Sequence, residues 1–210
     1  MAPTRDGPVT DRVYGGQDGE ARRSERRRQL IEAALDMLGG GEALSVRGVC
    51  KRSGLATRYF YESFGDRDAL AVAAYDHVVE QIVHTTLTAV AAATGVGERE
   101  IVQAAVQNIV RSLAEDPRKA HVLFSAAAAD PQLAQRRLDS TRLFAGLVTR
   151  QTVDYYDVPE SPHVDLTAHF MVGGFAQTLT AWLNGTVTLG EEEVVDICTE
   201  LLLSLAIHTR

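Results

Sequence analysis

VCKRSGLATRYFYESFGDRDAL, residues 49–70, is the stretch that decides the fold. Lys51, Arg52, Arg58 and Arg67 stand among Tyr59, Phe60, Tyr61 and Phe64. Ser53-Gly54 divides the stretch. Before the break, Ser45 is placed to cap a short helix on which Val46, Val49 and Cys50 share one side. After it, residues 56–64 read as a second short helix. A helix, a glycine-containing turn and a second short helix make the helix-turn-helix pattern. Val46, Val49, Leu55, Phe60 and Phe64 supply a small shared core, and Gly54 supplies a turn conformation that a side chain disfavours. Thr57, Arg58, Tyr59 and Tyr61 are left on the opposite face. The major groove of duplex DNA admits one helix, which must be held at a fixed angle. The pattern by itself leaves open whether this is a solvated basic face or a surface for a polyanion.

Working outward, the rest of the chain reads as helix, with neither alternating strands nor hairpin signals. Residues 1–20 are rich in Gly, Pro and Asp and are expected to be a disordered tail. Beyond the run RRSERRR (residues 22–28), Leu30, Ile31, Ala34, Leu35 and Leu38 recur at helical spacing until Gly39, Gly40 and Gly41 end the helix. Asp66 is placed to cap a long helix from Arg67 to about Ala93, with Leu70, Ala74, Val78 and Ile82 as its stripe. Asp116-Pro117 and Asp130-Pro131 repeat one device, an N-cap carboxylate followed by a proline at the first helical position. They delimit helices over 98–115, 117–129 and 131–156. VPESP (158–162) breaks the chain, and two last helices are expected over 163–184 and 191–208. The expected fold is all-α. A tail over 1–20 precedes a three-helix helix-turn-helix domain over 21–70 and a helical body over 71–210.

The chain has 210 residues, 45% of them hydrophobic, enough for a sizeable core. Its net charge is −7, which at first sight argues against a nucleic-acid partner. The charge is segregated, however. Residues 22–67 hold ten Arg or Lys against six Asp or Glu, a balance of +4 that leaves −11 for the remainder. A basic module joined to an acidic body implies that one part meets an anion and the other does not. The two cysteines, Cys50 and Cys198, read as small buried residues of a reduced, cytoplasmic protein. The N-terminus has no secretory pattern, and no apolar run is long enough to span a bilayer. There is no phosphate-binding loop, no nucleophile elbow and no HExxH or CxxC pattern, and no two histidines stand four residues apart. Enzymatic activity, metal and cofactor are therefore not expected.

From residue 29 to residue 70 the chain resembles the DNA-binding domain of the TetR family of bacterial transcriptional regulators. The match lies in the order of features: an alanine-containing first helix, glycine, Ser45 before the second helix, Arg47 two residues on, then Ser53-Gly54-Leu55. Tyr61, Phe64, Arg67 and Leu70 then follow the family's Tyr-x-x-Phe-x-x-basic-x-x-Leu ending. GGFAQTLTAWLNG (173–185) and LGEEEVVDICTELLL (189–203) look like the family's last two helices. The resemblance implies a homodimer that binds a palindromic operator in double-stranded DNA and is released by a small-molecule effector. In this reading Ser45 caps its helix beside a phosphate and Arg47 reaches a phosphate or a base edge. Thr57, Arg58 and Tyr59 face bases, while Tyr61 and Arg67 hold phosphates. Arg26 and Arg27, in the basic run, would lie along the backbone or in a minor groove. Two departures stand out. Arg58 occupies a position that is often small in the family, and Glu62 and Ser63 stand where it commonly has an aromatic residue and then His. A carboxylate facing a phosphate would repel it, so Glu62 is expected to point away, or the helix to sit differently.

A single recognition helix touches few base pairs, and twofold symmetry doubles the contacts. Val164, Ala168, Met171, Phe175, Leu179 and Trp182 form one stripe. Val194, Ile197, Leu201 and Leu205 form another, broadened by Cys198. Helices apolar over so much of their circumference must bury two faces. The dimer interface is expected at Val164, Phe175, Leu179, Trp182, Cys198, Leu201 and Leu205. As the resemblance implies, the middle helices should enclose a ligand cavity, with His121, Phe124, Phe144, Leu147, Tyr155, His169, Phe170 and Gln177 as its candidate lining. The alternative is an all-α small-molecule-binding or interaction module without specific DNA binding.

Overall fold

Glycines and side-chain caps cut the N-terminal third of the chain into helices at the places the sequence marks. The structure, a computed structural model, describes residues 14–206, and nine helices follow one another among them without a strand. Helix α1 spans Tyr14–Gly39. It therefore begins within the stretch expected to be a tail, while residues 1–13 lie outside the described residues. Once a helix is nucleated each further residue adds a hydrogen bond, and no proline interrupts residues 14–39. Within the basic run Glu25 accepts hydrogen bonds from Arg28 at 2.7 and 2.9 Å and from Gln29 at 2.9 Å.

Helix α2, Val46–Ser53, is capped by Ser45, whose hydroxyl accepts from the Gly48 N–H at 3.1 Å. Gly54 ends it in the left-handed conformation, φ +71°. After Leu55 and Ala56 the chain re-enters a helix, α3, over Thr57–Ser63. Leu30, Ala34, Met37, Val49, Phe60, Phe64 and Leu70 are buried together, so α1, α2 and α3 share one small core. Gly54→Ala places a Cβ in the left-handed region and is expected to destabilise the protein by about 1–2 kcal/mol. Urea denaturation checks this, and an unchanged midpoint would refute it.

Helix α4, Arg67–Ala93, starts at Asp66, which accepts from the Ala69 N–H at 2.7 Å. Its first turns pack on α1 and its later turns on the body, so one rigid element belongs to both parts. Helix α5 is Glu98–Glu115. Helix α6 covers residues 117–129 and is not uniform. An α-helical turn, Pro117–Ala120, leads into a π-helical segment, His121–Ala126, and closes with Ala127–Ala129. The sequence pattern had indicated a plain helix here; π segments recur where a helix borders a functional site. Helix α7, Pro131–Tyr156, is capped by Asp130, which accepts from Gln132 and Leu133 at 2.8 and 3.1 Å. Helix α8, Pro162–Leu183, uses the same device, with Ser161 accepting from the Val164 N–H at 3.3 Å. Helix α9 is Glu191–Ala206. Residues 207 and 208, expected to extend it, lie outside the described residues.

In the body α5 and α7 pack on α4, α8 packs on α7, and α9 packs on α5. Val106, Val110, Leu113, Leu179, Val194, Val195 and Cys198 extend the core that begins in the N-terminal helices. Both cysteines are free, and burial pushes the Cys198 thiol pKa upward. No helix among the described residues is long and apolar enough to cross a membrane.

Candidate functional site

The outer face of the helix-turn-helix is built from groups that α2, α3 and the start of α4 hold clear of the core. Ser45, Arg47, Thr57, Arg58, Tyr61 and Arg67 are all exposed, Tyr61 by 60% although its ring packs edge-on against Phe60, which is fully buried. Phe60 thus fixes α3 from within and leaves the Tyr61 hydroxyl outside. Arg47 forms no ion pair among the described residues, whereas Arg52 is bound to Glu42 at 2.8 Å. Arg67 lies 3.2 Å from Asp68 and stays largely solvated.

Tyr59 is half-buried and gathers two arginines. The Arg26 and Arg58 guanidinium carbons each lie 4.6 Å from its ring centroid, and Arg58 Nη2 donates to its hydroxyl at 2.7 Å. Arg27 stacks 4.3 Å from the Phe64 ring centroid and donates to the Ser63 carbonyl at 3.1 Å. The basic run is therefore no free arm at these two positions. Continuous α1 carries Arg26 and Arg27 onto α3, where cation–π contact and a backbone carbonyl hold them. Glu62 turns the same way, its carboxylate 3.8 Å from Arg26, which answers the departure noted in the sequence.

Behind this module the body encloses a cavity of about 300 Å³. Helix α4 lines it with Tyr75, Val79, Ile82, Val83, Thr86, Leu87 and Val90, a single stripe at helical spacing. Ile101, Val102 and Ile109 of α5 face them, and Leu123 and Phe124 enter from the π-helical segment of α6. Phe144, Leu147 and Tyr155 of α7 complete the wall with Phe175 and Leu179 of α8. Polar groups are few. Burial pushes the Tyr75 phenol pKa up, with Ser140 Oγ 3.2 Å from its oxygen as a partial offset. Near the other end Tyr156 donates to Glu98.

Of the expected lining, Phe124, Phe144, Leu147 and Tyr155 are in the wall; His121, His169, Phe170 and Gln177 lie outside it. His121 sits beside the glycine turn after α1. His169 Nδ1 lies 2.9 Å from the Asp165 carbonyl on an exposed side of α8, Phe170 is 65% exposed, and Gln177 is exposed as well. The expected interface divides too. Val164, Leu179 and Cys198 are buried within the chain, and Phe175 is half-buried in the cavity wall. Trp182 is half-buried and donates from Nε1 to the Leu189 carbonyl at 2.9 Å, and Leu205 is half-buried. Only Leu201 of that set is exposed. Because α8 is apolar on two sides, the stripe chosen from sequence is the inner one. The outer one carries Leu166, Phe170 and the exposed Gly173 and Gly174, and α9 presents Ile197 and Leu201. The sequence reading also missed the α4 and α5 walls, although the α4 stripe was legible as an apolar series. No group of three or more His, Cys, Asp or Glu side chains among the described residues is placed to hold a metal ion.

No family model matches the sequence, and no curated protein matches it. Solved structures do match. A putative transcriptional regulator from Pseudomonas aeruginosa PAO1 superposes with a TM-score of 0.70 at 20% identity, over 88% of this chain and 91% of that one. A putative TetR-family transcriptional regulator from Syntrophomonas wolfei gives 0.72 at 16% identity, over 88% and 96%. The regulator FadR from Bacillus subtilis, in complex with stearoyl-CoA, gives 0.68 at 18% identity, over 84% and 97%. With its N-terminal helix-turn-helix and C-terminal helical domain, the chain has the all-α fold of TetR-family transcriptional regulators.

Proposed function

We propose that the chain is a ligand-responsive, DNA-binding transcriptional regulator, a homodimer that holds a palindromic operator and is released by a small, largely apolar effector. The observation that carries this reading is the exposed row Ser45, Arg47, Thr57, Arg58, Tyr61 and Arg67, joined through α4 to an apolar cavity. Residues 22–67 carry +4 on a chain of −7, so the charge that attracts a polyanion is concentrated where these groups stand. Arg58 is the base reader: a swing off Tyr59 frees a guanidinium suited to guanine O6 and N7. Tyr61 and Arg67 hold phosphates. Arg26 and Arg27 act from behind, bracing α3, and add positive potential. The outer stripe of α8 and α9, with Phe170 and Leu201, is the dimer contact, and the two glycines let a partner backbone approach. The complex of the B. subtilis regulator with stearoyl-CoA is consistent with an effector rich in hydrocarbon.

Selection of bound sequences from random duplex DNA tests this reading. A palindromic consensus, bound with a steep negative dependence on salt, is the expected result. No salt-dependent duplex binding would leave only a small-molecule-binding or interaction module. Arg58→Ala is then expected to weaken the selected site by about 1–3 kcal/mol and to relax preference at one base pair in each half-site. Tyr61→Phe and Arg67→Ala should weaken all duplexes more evenly, because phosphates carry no sequence information. Equal losses on every duplex for Arg58→Ala would remove it as a base reader.

A further inference from the structure

Arg137, on α7, lines the apolar cavity, and its guanidinium has neither an ion pair nor a hydrogen bond among the described residues. It stands at the Tyr75 end, close enough for its charge to act on the Tyr75 phenol. The two carboxylates that also act on that phenol are already matched: Asp76 with Arg136 at 3.3 Å, and Asp139 with Arg142 at 2.8 Å. At the opposite end the Glu98 carboxylate accepts from Tyr156. The wall thus carries one charge at each end, Glu98 near Tyr156 and Arg137 near Tyr75, and the positive one has no carboxylate partner among the described residues. A charge beside low-dielectric surface is stabilised by a counter-ion, and a guanidinium meets a carboxylate with two parallel N–H donors. Tyr75 Oη and Ser140 Oγ, 3.2 Å apart, add hydroxyls at the same end.

The shape completes the specification. From Tyr75 to Val90 the α4 lining spans fifteen residue-to-residue steps, about 22 Å of helix at 1.5 Å per residue. Helix α7 runs alongside from Arg137 to Tyr155 and Tyr156, so the cavity is elongated, with its cation at one end and hydrocarbon along its length.

We infer that the cavity binds a single-chain amphiphile, its anionic head on Arg137 beside Tyr75 and Ser140 and its hydrocarbon chain laid along α4 toward Val90. This rests on reading the cavity as the effector site and names the class of ligand. The anion can come from a free carboxylate or from the phosphates of an acyl thioester, and the test separates the two.

The full chain, without DNA, is titrated calorimetrically with dodecanoate, dodecanol, dodecyltrimethylammonium and dodecanoyl-CoA, each below its micellar concentration. Dodecanoate should bind about tenfold or more tightly than dodecanol, and the cation most weakly, since a charge-assisted bond to Arg137 is made only by the anion. Arg137→Gln should erase the preference for dodecanoate while leaving dodecanol affinity unchanged, which also reports that the cavity is intact. Arg136→Gln, which removes the neighbouring arginine paired with Asp76, should leave the preference in place. Dodecanoyl-CoA binding that exceeds dodecanoate binding and falls with Arg137→Gln supports the proposal with phosphate as the anion. Equal affinity for acid and alcohol, a preference that survives Arg137→Gln, or no binding of any of the four overturns it. None of these readouts depends on DNA, so a failed duplex selection and a failed ligand assignment are separate results.

Discussion

Phe170→Glu is expected to turn the proposed homodimer into monomers and to abolish high-affinity binding to the proposed palindromic duplex, with the fold intact. Phe170 is 65% exposed on the outer stripe of α8, so the substitution costs the isolated chain little. In the proposed dimer the same carboxylate would be buried against apolar surface, and twice if the interface is twofold. An uncompensated buried charge costs several kcal/mol, so the dimer dissociation constant should rise by at least about a thousandfold. Leu201→Glu, on the neighbouring face of α9, should behave alike. Leu179→Glu should not. That side chain is buried in the cavity wall, and its replacement should unfold the body rather than separate two folded copies. Sedimentation velocity and circular dichroism distinguish the two outcomes. A Phe170→Glu protein that remains dimeric would place the interface elsewhere.

Arg118→Ala is expected to destabilise the protein by about 2 kcal/mol and to weaken communication between cavity and DNA. Arg118 stands at the start of α6 and joins it to α1. Its Nη1 donates to Glu32 at 2.8 Å and to Asp36, while Nε and Nη2 grip Asp116 at 2.9 and 2.8 Å. Gly39, at the end of α1, lets the two helices close: a Cβ there would lie 2.4 Å from Arg118 Cβ and 2.7 Å from its Cα. Further along α6, Leu123 and Phe124 touch the cavity. A ligand that displaces α6 would therefore pull on α1, the first helix of the proposed DNA-binding module, through this joint. An effector can shift the equilibrium only by the ratio of its affinities for the two states, and DNA must weaken ligand binding by the same factor. Coupling of this kind is typically about 5–150-fold. Titrating an effector with and without operator DNA should show it in the parent protein and show less of it in Arg118→Ala. Identical ligand affinity in both titrations of the parent would mean that no such switch exists.

The same joint predicts a pH dependence. Hydrogen bonds from Arg118 hold the Asp116 carboxyl below its usual range, against the opposing effect of burial. A depressed carboxylate contributes stability that is present above its unfolded value, about 4, and is lost as pH falls through the lower folded value. The stability gap between the parent and Arg118→Ala should accordingly be full at neutral pH and shrink in acid. Glu32 and Asp36 share the arginine, with Lys119 close to Asp116. A gap unchanged at low pH would show that packing, rather than charge, sets the value of Arg118.

Helix boundaries were legible because they are local. Ser45, Asp66, Asp116 and Asp130 each accept from a backbone N–H two or three residues on, and Gly54 alone satisfies its positive φ, so no distant part of the chain is needed to place them. The same holds for the helix-turn-helix core, whose members lie within a few turns of one another and recur at helical spacing. Where periodicity is broad the sequence loses its grip. Helix α8 is apolar on two sides, and which side meets its own chain depends on where α7 and α9 pack; hence Phe175 lines the cavity and Phe170 faces out, against expectation. A run of arginines reads as a solvated arm until α1, continuous from Tyr14, carries Arg26 and Arg27 onto Tyr59 and Phe64. The joint of Arg118 with Glu32 and Asp36 spans more than eighty residues, and Arg137 sits in an ordinary-looking polar stretch. The sequence by itself determined the all-α architecture, the caps and the basic helix-turn-helix, since these follow from spacing and short-range hydrogen bonding. Only the tertiary structure decided which apolar stripe is core, which arginines are tied down and which one faces the cavity, because each of those depends on burial against residues remote in the chain.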